Sequence, residues 1–478
     1  MKKKALSIKN TLTQKKELFR PIEPGRVRLY VCGVTVYDHC HIGHARVMLF
    51  FDVLVRVIKS LGFRLIYVRN ITDIDDKILK RAKEIGVPYQ RLAEEMIGSF
   101  NEDMDWLGIK KPNFEPRATL HIDSMIKLIS ILLDKSHAYK VGGDVYFSVR
   151  SFKEFGALSK KQMDDLLSGA RVDVDPRKKD PLDFALWKSV SGDEASFKSP
   201  FGMGRPGWHI ECSSMAMQYL GDTFDIHGGG EDLIFPHHEN ERMQSMAATG
   251  KPFANVWMHV GFVRMDKGKM SKSLGNIVLI KELKERWDPE VVRLALLSSH
   301  YRSPLDFSNE LLESSKKALY RFYLARFRAK EGVIKEYADN DSFLFIHDFK
   351  ERFLNTMMDD LNTPKAIGVL FEAMKFLRPN ENTLGHGSFL ALEDFFATVN
   401  DLLGVFGSNP EAFLEMYEKS FLADINLDKM DLISFIESRE VARREKDFEK
   451  ADEIRDQLGK LGVYLDDTPR GTLYRLGA

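Results

Sequence analysis

An apolar strand–helix–strand pattern near the start of the chain constrains its fold more than any other feature. The residues from Val27 to Val34 predict a buried strand, those from about Ala45 to Leu61 a helix, and those from Phe63 to Ile71 a second strand. Gly62 stands where many helices end in a left-handed residue. Short joints between these elements favour a βαβ unit, and therefore a parallel sheet. Ligands bind outside the carboxyl ends of such strands, so we expect functional residues there.

The sheet is expected to be interrupted before it continues. Thr72 or Asp73 can cap the helix that follows the second strand. From about 110 to 204 the pattern is more broken and polar, which predicts an insertion into the fold. The apolar runs from Phe224 to Ile226 and from Val256 to Val260 then predict strands that resume the sheet.

The second half of the chain predicts helices and a small terminal unit. The apolar spacing is helical from 309 to about 407, where Thr363-Pro364 predicts an N-cap followed by proline at the first helical position. Apolar residues recur at three- and four-residue spacing from Phe448 to Leu461, which predicts an amphipathic helix with a charged opposite face. The residues from Val463 to Leu465 and from Thr472 to Tyr474 predict a small hairpin.

The composition excludes several protein classes. Of 478 residues, 44% are hydrophobic and 29% are charged, which is ordinary for a globular protein. Lys+Arg and Asp+Glu both total 70, which argues against a uniformly basic coat for nucleic acid but does not exclude a local basic face. The three cysteines, Cys32, Cys40 and Cys212, are too few for a disulfide framework and favour a reducing cytoplasm. No apolar run approaches the roughly 20 residues of a membrane span, so we expect no membrane partner.

Two short motifs carry candidate nucleotide chemistry. His41 and His44 stand at a predicted helix start, where imidazoles and backbone N–H groups suit the triphosphate of ATP. Gly43 between them would let a flat base approach the backbone. Lys269 and Lys272 lie in a Lys-Met-Ser-Lys-Ser sequence, and cations that meet a developing charge favour the transition state over the ground state. Each motif alone is weak evidence, because such residues are often only polar surface groups.

Two further groups of residues are ambiguous on their own. The sequence His227–Asp232 has three successive glycines, which suit close ligand approach, and Asp232 could accept hydrogen bonds from ribose hydroxyls. A plain turn is the alternative interpretation. Asp73, Asp75 and Asp76 could suggest magnesium, but acids at a helix start also match the helix dipole, which is the interpretation we favour.

Four scattered side chains could hold one metal ion. His237 and Glu241 are four residues apart and share one face of a helix, whereas His238 is expected to point elsewhere. Two thiolates, an imidazole and a carboxylate suit Zn²⁺. Isolated buried cysteines are the alternative, and we expect Cys40 to be one. The candidate metal site is the set Cys32, Cys212, His237 and Glu241.

These motifs together resemble a known enzyme family. His41–His44 and Lys269–Ser273 resemble the HIGH and KMSKS motifs of class I aminoacyl-tRNA synthetases, and we call them the HIGH turn and the KMSKS segment. With the candidate metal site between them, the chain resembles the cysteinyl-tRNA synthetase family over nearly its whole length. The resemblance implies activation of L-cysteine with ATP to cysteinyl adenylate, then transfer to the 3′-terminal adenosine of cysteine tRNA.

The resemblance also implies roles for individual residues. The implied catalytic residues are His41, His44, Lys269 and Lys272. The implied ATP contacts are His41, Gly43, His44, Gly229, Asp232 and Lys272. The implied cysteine pocket contains Thr72, Trp208 and His227, although a tryptophan in the core is a rival interpretation of Trp208.

Zinc and magnesium are the cofactors that the resemblance implies. One Zn²⁺ per subunit would select the substrate, because a thiol binds as the thiolate whereas a serine hydroxyl is far more basic. Such selection leaves no need for a second, hydrolytic site. Mg²⁺ would accompany ATP, and we expect a monomer in the cytoplasm.

The resemblance implies an α/β fold class: a Rossmann-like parallel-sheet catalytic domain with an insertion, an all-α bundle and a small C-terminal α+β domain. The predicted boundaries are 1–110 and 205–262 for the two catalytic halves, 111–204 for the insertion, 263–308 for the KMSKS-loop and stem-contact region, 309–407 for the bundle and 430–478 for the anticodon-binding domain.

Two alternatives remain at this point. A related ligase that joins activated cysteine to an amino sugar would share every motif up to Ser273. The bundle and the terminal unit argue against it, because a small sugar needs no distant RNA-reading domain. An inactive zinc-containing RNA-binding protein is the other alternative. The intact histidines of the HIGH turn and the intact lysines of the KMSKS segment argue against it.

Overall fold

The computed structural model describes two compact units. The described residues are 4–162, 176–190, 195–265, 268–269 (backbone), 277–334, 339–378, 384–468 and 471–477. The first unit is built from 1–289, 296–307 and 354–366, and the second from 290–295, 308–353 and 367–478. The domain boundaries expected from the sequence stay predictions. Across the part of the chain that the structure describes, no helix combines the length and apolar character that a bilayer span requires.

A four-stranded parallel sheet forms the centre of the first unit. A short antiparallel hairpin precedes it, made of Ser7–Asn10 (β1) and Lys15–Leu18 (β2). The strands of the main sheet are, in spatial order, Ala254–Val260 (β11), Phe224–Gly230 (β10), Arg26–Val31 (β3) and Arg64–Arg69 (β4). Every neighbouring pair is parallel, which confirms the predicted sheet.

The predicted βαβ unit is present with slightly shorter strands. Helix α1 (Ile42–Ser60) connects β3 to β4, and most of its side chains are buried because it lies against the sheet. It ends as expected, with Gly62 at a φ of 81°. The next helix, α2 (Asp76–Ile85), is capped by Asp75, not by Thr72 or Asp73. The carboxylate of Asp73 instead accepts hydrogen bonds from the backbone and hydroxyl of a distant threonine, Thr119.

The insertion is a small α+β layer with its own sheet. Helices α3 (Tyr89–Trp106) and α4 (Ile122–Asp134) lead into it. Its antiparallel strands have the spatial order β5-β6-β7-β9-β8 and the bounds Ala138–Val141 (β5), Asp144–Phe147 (β6), Phe184–Ser189 (β7), Phe197–Ser199 (β8) and Gly202–Pro206 (β9). Helix α5 (Trp208–Leu220) then returns the chain to β10.

Smaller elements complete the first unit. Helix α6 (Glu239–Thr249) connects β10 to β11. A three-stranded sheet follows, formed by Val263–Met265 (β12), Gly268–Lys269 (β13) and Leu305–Phe307 (β14). Among the residues described between β13 and β14, Ile280–Lys284 (α7) and Pro289–Leu297 (α8) are helical.

From residue 309 onward the chain is mainly helical, as predicted. The helices are Asn309–Glu331 (α9), Asn340–Met358 (α10), Thr363–Leu377 (α11), His386–Leu403 (α12), Pro410–Asp424 (α13), Lys429–Arg444 (α14) and Phe448–Lys460 (α15). Asn362 caps α11 through its side-chain oxygen, so the predicted cap at Thr363 is wrong by one residue. The hydroxyl of Thr363 donates to the Leu297 carbonyl oxygen.

The terminal hairpin is also present and longer than predicted. Its strands are Val463–Thr468 (β15) and Gly471–Leu476 (β16), and they pair antiparallel. The buried face of α15 consists of Ala451, Ile454 and Leu458. Phe448 is 62% exposed and Leu461 is 40% exposed, so the apolar stripe is shorter than its sequence pattern.

Candidate active site and metal centre

The HIGH turn forms the N-terminus of α1. The Nδ1 atom of His41 accepts hydrogen bonds from the backbone N–H groups of Gly43 (3.1 Å) and His44 (3.4 Å). Because a backbone N–H can only donate, Nδ1 carries no proton and the ring donor of His41 is Nε2. The two imidazole rings are stacked with their centroids 3.6 Å apart. A donor ring at a helix N-terminus suits a phosphate group.

The structure describes only part of the KMSKS segment. The backbone of Lys269 pairs with Arg264 across β12 and β13. Lys272 lies outside the described residues, so its predicted role is a hypothesis without a described position.

The chain that follows the KMSKS segment returns to the HIGH turn. The backbone N–H of Ile42 donates to the Val278 carbonyl oxygen over 3.0 Å. The N–H of Ile280 donates to the Cys40 carbonyl oxygen, also over 3.0 Å. Main-chain pairing therefore brings two regions together that are more than 230 residues apart in sequence.

The candidate metal site assembles at the carboxyl edge of the parallel sheet. Cys32 directly follows β3, Cys212 lies on α5, His237 precedes α6 and Glu241 lies in the first turn of α6. All four side chains are buried, and their ligand atoms lie within 4.8 Å of one another. The Oε1 atom of Glu241 is 3.4 Å from Cys32 Sγ and 3.0 Å from His237 Nε2. Ligands of a tetrahedral zinc ion lie roughly 3.3–3.8 Å apart, so this donor set fits Zn²⁺.

His238 joins the same cluster, so the expectation that it points elsewhere is wrong. Its Nε2 atom lies 3.3 Å from Cys32 Sγ and 3.9 Å from Glu241 Oε1. Residues three apart on a helix share a face as well as residues four apart, so spacing could not exclude it. A second set of buried side chains could therefore also hold an ion: Cys32, His227, His238 and Glu241.

The two thiols of the candidate metal site differ in acidity. Burial alone would raise the pKa of Cys212, but hydrogen bonds with Cys32 and His237 lower that pKa to about 6. Burial and the neighbouring Cys212 hold the pKa of Cys32 well above its usual value. Burial opposes protonation of His237, yet Glu241 and Cys212 raise its pKa to about 10. Cys212 is thus the thiol that becomes a thiolate, the form that binds metals, near neutral pH.

Neighbouring histidines fix the orientation of these side chains. His209 Nδ1 lies 2.9 Å from His237 Nδ1, and burial together with His237 holds the pKa of His209 well below its usual value. Neutral His209 therefore accepts the Nδ1 proton of His237, whose Nε2 atom faces Glu241. His227 Nε2 lies 2.9 Å from Glu241 Oε2. We did not identify His209 from the sequence, although its position three residues before Cys212 on one helix was a usable signal.

The three residues expected to line the cysteine pocket differ in their surroundings. Trp208 is 37% exposed, and its ring centroid lies 4.3 Å from that of His237, so it is no core tryptophan. Thr72 is buried and donates to Glu211 Oε2 over 3.1 Å. The burial of Glu211, which we did not identify from the sequence, raises its pKa well above the usual value. His227 is fully buried in the same region.

The glycines after His227 belong to a strand and not to a loop. The residues His227–Gly230 form the last part of β10 and pair with β11. A Cβ atom on Gly229 would lie 2.9 Å from the ring of His238, so glycine is required there by the histidine next to it. Asp232 is exposed in the short turn Glu231–Leu233. The predicted ATP contacts of Gly229 and Asp232 therefore stay predictions.

Three family models match successive parts of the chain. The model of the class I (C) tRNA synthetase catalytic domain matches residues 18–317. The model of the DALR domain matches 352–407, and that of the cysteinyl-tRNA ligase anticodon binding domain matches 434–475. The last match speaks against the amino-sugar ligase alternative.

Solved structures with low sequence identity share the fold. Methionyl-tRNA synthetase of Mycobacterium tuberculosis, in complex with methionyl-adenylate, superposes with a TM-score of 0.62 at 15% identity, over 81% of this chain and 93% of that one. LeuRS of Agrobacterium radiobacter, in a ternary complex, superposes with a TM-score of 0.62 at 11% identity, over 83% of this chain and 86% of that one.

Curated relatives match over almost the full chain. Cysteine–tRNA ligase of Chromohalobacter salexigens is 49% identical over 98% of this chain and 99% of its own length. Cysteine–tRNA ligase of Syntrophotalea carbinolica is 46% identical over the same shares of the two chains. Matches of this extent, together with the sheet and motifs described above, show that the chain belongs to the cysteine–tRNA ligase family of class I aminoacyl-tRNA synthetases.

Proposed function

We propose that this chain activates L-cysteine with ATP, transfers it to the 3′-terminal adenosine of cysteine tRNA, and uses one Zn²⁺ to select the thiol. Family membership supports the reaction. The observation that carries the metal proposal is the buried candidate metal site, whose ligand atoms lie within 4.8 Å of one another. When bound there, Zn²⁺ supplies a soft cation that a thiolate coordinates far better than an alcohol does.

The surrounding side chains hold the ligands in one arrangement. His209 sets the ring orientation of His237, and His227 holds one oxygen of Glu241. Such support keeps ligand geometry fixed when substrate enters, and fixed geometry is what lets a site reject a close analogue. Trp208, 37% exposed beside His237, would form the wall that the substrate side chain contacts.

The number of sulfur ligands and the acidity of Cys212 favour the set with two cysteines over the second set. The second set replaces Cys212 and His237 with His227 and His238 and so has one sulfur instead of two. Zinc sites are rich in thiolate, and Cys212 is the thiol of lowered pKa. His238 would then contact the sulfur of Cys32 without binding the ion. The Nδ1 atom of His238 lies 2.7 Å from His259 Nε2.

The HIGH turn would bind the triphosphate. His41 presents Nε2–H as a donor at the helix N-terminus, and His44 stacks on it. Gly43 would lie under the adenine, and Gly229 and Asp232 would contact the adenosine half. Lys269 and Lys272 would meet the charge that grows on the leaving pyrophosphate, and Mg²⁺ would arrive with ATP. No covalent enzyme intermediate is needed, because positioning and charge stabilisation carry the rate.

The tRNA partner would be read by the terminal unit, residues 430–478. We also propose that the chain acts as a monomer in the cytoplasm. Sedimentation velocity of the purified chain, with and without tRNA, tests the oligomeric state directly.

The deciding experiment is pyrophosphate exchange with a panel of amino acids, measured alongside zinc content. We expect exchange with cysteine, almost none with serine, and one zinc per chain. As a matched control, Cys40→Ser should keep its zinc, because Cys40 is buried outside the candidate metal site. Exchange with serine at a comparable rate would contradict the proposed selection.

A spectroscopic test reports on the thiol itself. Cobalt substituted for zinc should change its visible spectrum when cysteine is added and stay unchanged with serine. A spectrum that ignores cysteine would make the metal structural and assign selectivity to Trp208 and its neighbours.

A further inference from the structure

The function proposed above assigns no specific role to a cavity of about 530 Å³ in the second unit. Helices α9 and α11 form two of its sides, and strands β15 and β16 contribute the rest. Its volume lies in the range of ligand sites, about 300–1,000 Å³. We call it the basic cavity, after the residues Arg321, Arg328, Lys375, Arg378 and Arg475 in its lining.

The lining carries an excess of positive charge. Arg321, Lys375 and Arg378 are exposed, and none of them forms an ion pair with any residue that the structure describes. Cations that keep no carboxylate partner remain able to attract an anion. Among the residues that the structure describes, no acidic side chain lines the basic cavity.

The other two arginines both pair with the carboxylate of Asp466. Arg328 Nη1 lies 3.2 Å and Arg475 Nε lies 2.6 Å from Asp466 Oδ2. The pairing holds the hairpin and α9 together, which fixes the shape of the wall.

Aromatic rings lie at the same cavity. Phe371 is 44% exposed and Tyr464 is 39% exposed, and both line the basic cavity. Phe371 also packs against the buried ring of Phe322, with the ring centroids 5.3 Å apart. This contact holds the Phe371 ring in position. Exposed rings beside unpaired cations form the combination that binds unpaired nucleotides, because bases stack on the rings and phosphates meet the cations.

We infer that the basic cavity binds one unpaired nucleotide of the tRNA substrate, with its phosphate at Lys375 and Arg378 and its base against Phe371 or Tyr464. The inference rests on the proposed function, which supplies the RNA. A cavity of this size holds a single nucleotide and not a duplex. The aromatic rings, which stack on a splayed base, also favour single-stranded RNA.

The test is binding of an unmodified cysteine tRNA transcript across a salt series. The variant Lys375→Gln/Arg378→Gln should lower affinity roughly tenfold, and the slope of log affinity against log salt should fall by about 1 to 2. Phe371→Leu should lower affinity about fivefold or more with an unchanged slope, since stacking carries no charge. Lys419→Gln, an exposed cation of α13 outside the basic cavity, is the matched control and should change neither quantity.

Cysteine-dependent pyrophosphate exchange separates this inference from the proposed function. All three variants should keep wild-type exchange. Unchanged tRNA affinity in both cavity variants would overturn the inference and leave the proposed function intact. Absence of cysteine-dependent exchange in the wild-type chain would instead overturn the proposed function.

A free nucleotide has the same chemistry as an unpaired nucleotide of the tRNA. A second experiment therefore distinguishes these two ligands. Equilibrium dialysis of labelled AMP should give equal binding to wild type and to Phe371→Leu. A class of AMP sites lost in Phe371→Leu would overturn the RNA assignment and make the basic cavity a site for free nucleotide.

Discussion

The candidate metal site and the basic cavity both gather charged side chains, but they hold them in opposite ways. In the metal site every side chain is buried and another one fixes it, as His209 fixes His237. In the basic cavity, Lys375 and Arg378 are exposed and pair with no residue that the structure describes. Rejection of a near-identical amino acid requires fixed ligands at short range. Attraction of a polyanion requires charge that acts at a distance and that salt can screen.

The largest expected effect concerns Lys272, a cation that we propose to act in catalysis and not in RNA attraction. Lys272→Ala should lower the rate of cysteine-dependent exchange by roughly two to three powers of ten, the scale of one lost charge contact in the transition state. Cysteine and tRNA affinities should change little. Lys419→Ala, measured in parallel, should leave exchange unchanged. If Lys272→Ala also exchanges at the wild-type rate, that lysine has no part in the mechanism.

The next effect tests whether the metal site acts apart from RNA binding. Cys212→Ser places an alcohol where the thiolate of lowered pKa stands, so zinc should be lost and exchange should fall by at least about 100-fold. Elemental analysis and exchange measure the two quantities. Glu241→Gln should loosen the ion more mildly. If the Cys212→Ser chain also loses affinity for tRNA, the metal site does not act separately from RNA binding.

Removal of a supporting side chain should have a smaller effect. His209→Ala leaves the ligands in place but frees the ring of His237, so zinc affinity should fall by about 10–100-fold. Competition with a chromophoric chelator measures it. His347→Ala, an exposed histidine of α10, is the control. An unchanged zinc affinity in His209→Ala would show that the ligand set needs no such support.

The smallest effect concerns an ion pair of which one partner is buried, as in the metal site, and the other is exposed, as in the basic cavity. The Arg439 side chain is 4% exposed and that of its partner Asp467 is 41% exposed. The hydrogen bond from Arg439 lowers the pKa of Asp467 to about 2. A depressed carboxyl pKa stabilises the fold above its unfolded value, and that contribution disappears as pH falls from about 4 toward 2.

Solvent screening limits this contribution to less than about 1 kcal/mol. Arg439→Met should therefore speed amide exchange in β15 and β16 only slightly at pH 5–7. The difference from wild type should shrink below pH 4. A difference that persists at pH 2.5 would mean that the arginine acts by packing and not by charge.

Local patterns in the sequence predicted much of the fold. The apolar runs around Gly62 predicted β3, α1 and β4, and the spacing after Phe448 predicted α15. The predictions failed where a side chain forms hydrogen bonds with residues that are distant in sequence. Thr72 and Asp73 do not cap α2, because they bond to Glu211 and Thr119 instead. Such partners come from tertiary packing, which local propensity does not encode.

The site was predictable to the extent that family motifs mark it. The four residues of the candidate metal site lie together, although their roles stay a proposal. His238 shows the limit, because helical spacing allows both it and His237 to face Glu241. The basic cavity was not predictable, because Arg321, Lys375 and Arg475 meet only after three separate elements pack.

The strand order of the parallel sheet has a consequence for synthesis. Strand β3 is an inner strand, and its Leu29 pairs with Ile226 of β10, about 200 residues later in the chain. At about 5–20 residues per second, a ribosome needs roughly 10–40 s to deliver that partner. During this time β3 can pair on one side only, with β4, and its other edge is open to wrong partners. The rate of translation therefore sets the earliest moment at which β10 can pair with β3 and complete the catalytic sheet.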